Sequence, residues 1–207
     1  MILAFDGSSV DGSAYRYVTG LAAHSPAWLD GLVSFWSAYG LGLFAVLMVL
    51  GWWRARRESP GAALAALAVP LVVVVAYGVD LGVKLLVRED RPCRSLRVVT
   101  LEACPAPGNW SFPSNHAAIA AAAAVALLSV SRRLGAVAVV AAGAMAASRV
   151  WVGAHYPHDV AVGVLVGTLV AMAMTAALRM LPDVSEHPLA ASRLGVLLLA
   201  PRLTRSG

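Results

Sequence analysis

Residues 148–160 read SRVWVGAHYPHDV and join two long apolar runs of the chain. The chain is 59% hydrophobic and only 13% charged, whereas ordinary soluble domains are about one quarter charged. Ser148, Arg149, His155 and Asp159 therefore stand out against an apolar background. The flanking runs decide the fold, and these four side chains point to the chemistry.

The apolar residues come in long blocks rather than in alternation. A transmembrane helix needs about 20 consecutive, mostly apolar residues. Five blocks reach or approach this length, and they are 32–53, 61–87, 114–130, 134–152 and 160–181. We therefore predict an all-α integral membrane protein, a helical bundle with about five transmembrane helices. A sixth helix, near residues 10–28 or 189–200, is left open.

The arginines predict how the chain crosses the membrane. Positive residues concentrate in cytoplasmic loops. The arginines that follow the first and third blocks, and that end or follow the fifth, are Arg54, Arg56, Arg57, Arg132, Arg133, Arg179, Arg193, Arg202 and Arg205. These regions are predicted to be cytoplasmic, which places residues 88–112 and 153–159 outside. The net charge of +5 is thus explained by topology, and no nucleic-acid partner is predicted.

The same pattern divides the chain into three parts. Residues 1–31 are predicted to be an extracytoplasmic N-terminal segment that could include an interfacial helix. Residues 32–181 form the membrane-embedded domain, and residues 182–207 form a cytoplasmic tail.

Cationic side chains collect near the predicted outer ends of the spans. An ionisable residue inside a membrane span marks a functional site by default. Lys84, Arg91 and Arg149 supply three positive charges. Ser114 and Asn115 open the third block, and the backbone N–H groups at a helix N-terminus favour anions. Together these residues predict a binding site for a phosphate-sized anion.

Two histidines and an aspartate complete the predicted chemistry. His155 and Asp159 are four residues apart, so the carboxylate can hold one ring nitrogen and leave the other free to attack. His116, from another helix, can donate a proton. Two histidines and three cations fit phosphoryl transfer through a covalent phosphohistidine. No metal or other cofactor is required, because the cations stabilise the phosphoryl oxygens.

Other interpretations fit the residues less well. A zinc site built from Cys93 and the histidines would have spacings that match no familiar zinc pattern. A serine hydrolase using Ser114, His116 and Asp159 would lack the G-x-S-x-G turn. A transporter or scaffold is the non-enzyme alternative, but a carrier needs polar residues through the depth of the membrane, and here they collect at one face.

The two cysteines of the chain, Cys93 and Cys104, fall in one predicted external loop. A disulfide can persist outside the cytoplasm, and it would stabilise the loop by a few kcal/mol. The sequence leaves open whether they form a disulfide or remain free thiols.

Three motifs occur in a specific order. They are K-x6-R-P at 84–92, P-S-x-H at 113–116 and S-R-x5-H-x3-D at 148–159. In order and spacing they resemble the three signatures of the type 2 phosphatidic acid phosphatase and vanadium haloperoxidase superfamily. The resemblance covers about residues 60–180. Five predicted spans argue against a soluble haloperoxidase.

The resemblance implies a role for each motif residue. His155 would be the nucleophile, Asp159 would orient it, and His116 would act first as general acid and then as the base that activates water. The implied phosphate-binding residues are Lys84, Arg91, Ser114 and Arg149. Asn115 departs from the family, which usually has glycine at this position, although its backbone N–H can still donate.

The small size, the short loops and the phrases DRPC, SFPSNHA and VGAHYPHD look most like bacterial undecaprenyl-pyrophosphate phosphatases. This resemblance implies hydrolysis of a terminal phosphate from a polyprenyl diphosphate at the outer face of the bacterial inner membrane. Phosphatidylglycerophosphate, phosphatidate and a polyprenyl-phosphosugar phosphate remain alternative substrates. The expected partners are the lipid substrate and membrane lipids, and the sequence does not determine the oligomeric state.

Overall fold

The computed structural model of the chain describes residues 5–180 and 198–199. In this part of the chain the regular elements are helices, and one isolated parallel bridge pairs Phe5 with Glu89 outside them. In chain order they are α1 (Ser8–Ala23), α2 (Ala27–Tyr39), α3 (Leu41–Ala55), α4 (Pro60–Val87), α5 (Pro92–Ser95), α6 (Asn115–Val130), α7 (Arg132–Trp151) and α8 (Pro157–Arg179). The predicted all-α membrane bundle is confirmed.

Over the residues that the structure describes, all five predicted apolar blocks are helical. The 28 residues of α4, the 20 of α7 and the 23 of α8 make each of these helices long and apolar enough to cross a membrane. The α2–α3 pair passes the same test when it is taken as one bent span. The apolar helix α6 has 16 residues, fewer than the roughly 20 of a full crossing. The chain is therefore a multi-pass membrane protein.

The first predicted span is not a single straight helix. The structure starts it at Ala27 and bends it by 53° between α2 and α3. Gly40 lies at the bend, and a Cβ atom there would come within 2.8 Å of the Met145 side chain on α7. The missing side chain lets the chain turn against α7. Hydropathy alone could not reveal this bend, because the residues on both sides of it are apolar.

The alanine-rich helix α6 lies at the centre of the bundle and packs against α3, α4, α7 and α8. Its fully buried alanines are Ala118, Ala120, Ala122, Ala123 and Ala126. On α8, Gly163 lies so close to α6 that a Cβ atom would be 2.5 Å from the Ser114 carbonyl oxygen. Small residues let helix backbones approach closely in membranes. The start of α6 is thereby held against the start of α8.

The two ends of the bundle differ in chemistry. One end carries arginines on tryptophans, with the guanidinium of Arg57 4.2 Å from the Trp53 ring centroid. The other end collects the C-termini of α4 and α7 and the N-termini of α6 and α8. Helix α1 packs on α7 and α8 there, and the Tyr15 hydroxyl donates to the Gly153 carbonyl at 2.9 Å. This second end contains every predicted site residue.

A disulfide joins Cys93 to Cys104, whose Cα atoms are 6.0 Å apart. It lies in the loop that connects α4 to α6. This loop runs across the end of the bundle and contributes several side chains to the site.

Candidate active site

The turn between α7 and α8 presents His155. Gly153 has φ of +82°, a conformation that glycine adopts without the strain other residues would suffer. The chain then turns back, and the His155 backbone N–H donates to the Arg149 carbonyl at 3.2 Å. Pro157 begins α8, which suits a residue that lacks an N–H group. The imidazole is thus fixed between two helix ends, 2% exposed.

The hydrogen bonds of His155 define its tautomer. Nδ1 lies 3.3 Å from Oδ2 of Asp159, and Nε2 lies 3.1 Å from Nη1 of Arg91. A guanidinium can only donate, so Nε2 must accept and Nδ1 must carry the proton. The nitrogen with the free electron pair therefore faces the cation.

Burial lowers the pKa of His155 well below its ordinary value of 6.5, and the positive charges of Arg91, Lys84 and Arg149 lower it further. Because the uncharged ring is the nucleophilic form, His155 stays ready to attack at neutral pH.

The carboxylate of Asp159 is fully buried. Its Oδ2 accepts from the Ser111 hydroxyl, from the Tyr156 backbone N–H at 2.9 Å and from His155. Its Oδ1 has no hydrogen bond within the part of the chain that is described. One oxygen therefore orients the nucleophile, and the other is left for a different neighbour.

Arg91 is the cation that touches the nucleophile. Besides facing His155, it donates to the Ala154 carbonyl at 2.8 Å and to the Asn109 side chain at 2.7 Å. Burial, together with the charge of Arg149, lowers its pKa to about 10. The guanidinium therefore remains positive at neutral pH and can meet a phosphoryl oxygen beside Nε2.

Lys84 binds the backbone of the loop before α6. Its ammonium donates to the carbonyl oxygens of Trp110 at 3.2 Å, Ser111 at 3.1 Å and Pro113 at 2.5 Å. It therefore holds the segment that carries Ser111 towards Asp159.

Asp80 does not pair with Lys84, although the two are one helical turn apart on α4. The Asp80 carboxylate is fully buried, and neither oxygen has a hydrogen bond among the described residues. A spacing of one helical turn predicts an Asp80–Lys84 pair, and this prediction is wrong because the Lys84 ammonium bonds three backbone carbonyls instead.

Arg149 is bound by a carboxylate that the sequence did not single out. Its two terminal nitrogens lie 3.0 and 3.3 Å from the oxygens of Glu102, and one of them also donates to Ser37. The Ser37 hydroxyl in turn donates to Glu102 at 2.6 Å. Glu102 comes from the disulfide-bonded loop and Ser37 from α2. A planar anion thus already occupies the guanidinium that was predicted to bind phosphate.

The first turn of α6 supplies polar groups without protein partners. Ser114 takes the N-cap position, yet its buried hydroxyl caps no backbone group and has no hydrogen bond among the described residues. The buried side-chain oxygen of Asn115 is also unpartnered there. Buried polar atoms are nearly always hydrogen bonded, so these two fit a polar ligand. His116 follows, half-buried, in the same turn.

A family model described as PAP2 superfamily matches residues 62–182. The chain belongs to the PAP2 superfamily. Two relatives support this membership over most of their length. The chain is 28% identical over 156 residues to undecaprenyl-diphosphatase BcrC of Bacillus subtilis, covering 75% of this chain and 78% of that protein. It is 31% identical over 150 residues to undecaprenyl-diphosphatase of Sulfolobus acidocaldarius, covering 69% of this chain and 67% of that protein.

A third PAP2 relative is more similar over a shorter stretch. The chain is 41% identical over 97 residues to decaprenylphosphoryl-5-phosphoribose phosphatase of Mycobacterium tuberculosis, which is 46% of this chain and 51% of that protein. The family and its phosphatase relatives make this chain a membrane phosphatase of the PAP2 type that acts on lipid phosphates.

Two solved structures share the PAP2 fold. LpxE of Aquifex aeolicus superposes with a TM-score of 0.65 and 22% identity, over 84% of this chain and 99% of that one. A PAP2-type phosphatidylglycerolphosphate phosphatase of Bacillus subtilis superposes with a TM-score of 0.59 and 19% identity, over 83% of this chain and 88% of that one. At these identities the likeness establishes the fold.

The structure brings the three PAP2 motifs to one end of the bundle, as the sequence predicted. Sequence reasoning missed the neighbours that hold the motif residues, which are Ser37, Glu89, Glu102, Asn109 and Ser111. Glu89 lies inside the first motif, so its position offered a clue. Glu102 and Asn109 lie in an irregular loop, where no periodicity or motif marks them.

Proposed function

We propose that the chain removes the terminal phosphate from a polyprenyl diphosphate at the outer face of the bacterial inner membrane, through a phosphohistidine at His155. The observation that carries the chemistry is the imidazole whose Nδ1 proton is held by Asp159 while its Nε2 faces Arg91. The choice of substrate is supported by the two relatives named undecaprenyl-diphosphatase.

The reaction proceeds in two displacements. The electron pair on Nε2 of His155 forms a bond to the terminal phosphorus as the bond from phosphorus to the bridging oxygen breaks. His116 gives a proton to the departing oxygen. A water molecule then attacks the phosphohistidine and gives a proton to His116, while the N–P electrons return to Nε2. Inorganic phosphate leaves, and both histidines are restored.

Charge complementarity explains the roles of the other site residues in the reaction. An imidazole phosphorylated at Nε2 and protonated at Nδ1 is positively charged, and Asp159 stabilises that charge. Arg91 and the Ser114 hydroxyl meet the phosphoryl oxygens, and Arg149 joins them when Glu102 is displaced. Preorganised donors of this kind act where charge develops in the transition state.

Two features support the outer location of the site. The Cys93–Cys104 disulfide lies beside the site, and disulfides persist outside the cytoplasm. Arginines gather at the opposite end of the bundle, as cytoplasmic loops do.

A second candidate substrate is a polyprenyl-phosphosugar phosphate. The observation that favours it is the 41% identity to decaprenylphosphoryl-5-phosphoribose phosphatase. A sugar alkoxide is a poorer leaving group than a lipid phosphate, so this substrate would depend more strongly on proton donation by His116.

Phosphate release from a substrate panel tests the proposal. The purified protein would be assayed in detergent with a chelator present, on polyprenyl diphosphate, polyprenyl-phosphosugar phosphate, phosphatidylglycerophosphate, phosphatidate and a soluble diphosphate. We expect the highest kcat/KM on polyprenyl diphosphate. A higher value on another lipid would reassign the substrate.

The parent should form a labelled phosphoenzyme that is labile to acid and stable to base, and His155→Ala should form none. Turnover by His155→Ala at the parent rate would contradict the mechanism. Loss of parent activity under the chelator would contradict the prediction that no metal is required.

A further inference from the structure

His158 is held by carboxylates on both ring nitrogens. Nδ1 lies 2.8 Å from Oδ1 of Asp11, and Nε2 lies 3.1 Å from each oxygen of Glu89. An ionised carboxylate can only accept, so each nitrogen must carry a proton. The ring is therefore an imidazolium.

This imidazolium also faces the carboxylate that orients the nucleophile. His158 Nε2 lies 3.5 Å from Oδ1 of Asp159, the oxygen that the other donors leave free. Asp159 and Glu89 are at most 1% exposed. Two carboxylates buried this close repel each other, and one tends to take up a proton unless a positive charge lies between them. His158 supplies that charge.

The surroundings of His158 hold the ring in one orientation. Asp11 leaves the helical conformation inside α1, at φ −146° and ψ 27°. Its second oxygen accepts from the His158 backbone N–H at 2.7 Å. The imidazole stacks on the Tyr156 ring, with centroids 5.3 Å apart and an interplanar angle of 17°. Contacts from α1, α8 and the loop after α4 thus converge on one side chain.

We infer that His158 is a positioning residue for the phosphatase reaction. Its positive charge keeps Asp159 ionised beside Glu89, so that Asp159 can hold the Nδ1 proton of His155. Through Asp11, the same ring fastens α1 over the site. The inference rests on the proposed role of His155 as nucleophile.

Glu89, His158 and Asp159 could also hold a metal ion, because one ligand atom from each lies within 4.8 Å of the others. A doubly protonated His158 explains the closeness of these three side chains better than a metal ion does. Glu89 already pairs with Nε2, and the nearby charges of Arg91 and Lys84 repel a divalent cation.

The test compares His158→Gln with His24→Gln, a matched change at an exposed histidine that directly follows α1. Under chelator, we expect His158→Gln to lower kcat about tenfold and to leave KM within about twofold, since the phosphate ligands are intact. The acid limb of the kcat profile should move to higher pH, because Asp159 then faces Glu89 without a compensating charge. His24→Gln should match the parent.

A second substitution separates positioning from a merely structural role. Adding Glu89→Gln to His158→Gln removes the like charge, so the acid limb should move back towards its parent position. A structural role would lower the thermal unfolding midpoint and the active fraction without moving the limb.

An unchanged pH profile in His158→Gln, or no return in the double variant, would overturn the inference. Loss of parent activity under chelator, restored by a divalent metal, would overturn it as well. His155→Ala is measured in parallel. If His155→Ala keeps its turnover, the proposal that His155 is the nucleophile is wrong, whatever the result for His158.

Discussion

At the scale of one residue, all three hydrogen bonds that the Asp159 side chain accepts from described residues end on the same carboxylate oxygen. The Ser111 hydroxyl, the Tyr156 N–H and His155 Nδ1 all point to Oδ2. An asparagine that placed its carbonyl oxygen there would keep all three bonds, but its N–H2 group would then face the Nε2 proton of His158. The charge of Asp159 is therefore needed towards both His155 and His158.

We predict that Asp159→Ala lowers kcat by about 10³–10⁴-fold, because both orientation and charge are lost. Asp159→Asn should lose a similar factor, because a neutral amide cannot stabilise the positive charge on His155 and its N–H2 group would face the His158 N–H. Single-turnover rates of phosphoenzyme formation would measure both losses. A rate for Asp159→Asn close to that of the parent would show that the carboxylate charge is not required.

Glu102 competes with substrate for Arg149. A phosphate that binds the guanidinium must displace a carboxylate that already makes two contacts with it. We predict that Glu102→Gln lowers KM severalfold, up to about tenfold, since a charged hydrogen bond contributes about 1.5 kcal/mol. Inhibition by inorganic phosphate should strengthen in parallel. Glu58→Gln, in the loop at the opposite end of the bundle, is the matched control. A higher KM would instead mean that Glu102 orients Arg149 for binding.

At the scale of elements, the contact between α6 and α8 decides how the site is assembled. The Ser114 backbone N–H donates to the Asp159 carbonyl at 3.0 Å, which links the first turns of the two helices. The glycines Gly163 and Gly167 allow this approach, because each lies against the α6 backbone. Backbone cannot move aside as a flexible side chain can.

We predict that Gly167→Ala destabilises the protein by about 1–3 kcal/mol, since its Cβ would come within 2.9 Å of the Ala118 carbonyl carbon. Activity should fall as well, because the turn with Ser114 and His116 shifts relative to His155. Gly78→Ala on α4 is the control, as its Cβ meets no atom within 4 Å. Thermal unfolding in detergent, with kcat measured on the same samples, checks both effects. Equal midpoints for the two variants would argue against a tight α6–α8 contact.

At the scale of the whole molecule, both cysteines are bonded to each other, so the parent chain offers no reactive thiol and labelling can report topology. Val99 is 95% exposed in the disulfide-bonded loop. We predict that Val99→Cys in whole cells reacts with a membrane-impermeant maleimide, whereas Glu58→Cys at the other end reacts only after the cells are opened. The reverse pattern would place the site in the cytoplasm and contradict the proposed outer location.

The amino-acid sequence was enough to predict the membrane bundle, the end of it that carries the site and the pairing of His155 with Asp159. These features depend on composition, on the spacing of neighbouring residues and on motif order, all of which are local along the chain. The tertiary structure alone decided the bend at Gly40, the hold of Glu102 on Arg149 and the placement of His158 between two carboxylates. Such contacts join residues distant in sequence, and they follow from how closely the helices and the connecting loop pack, which no local pattern encodes.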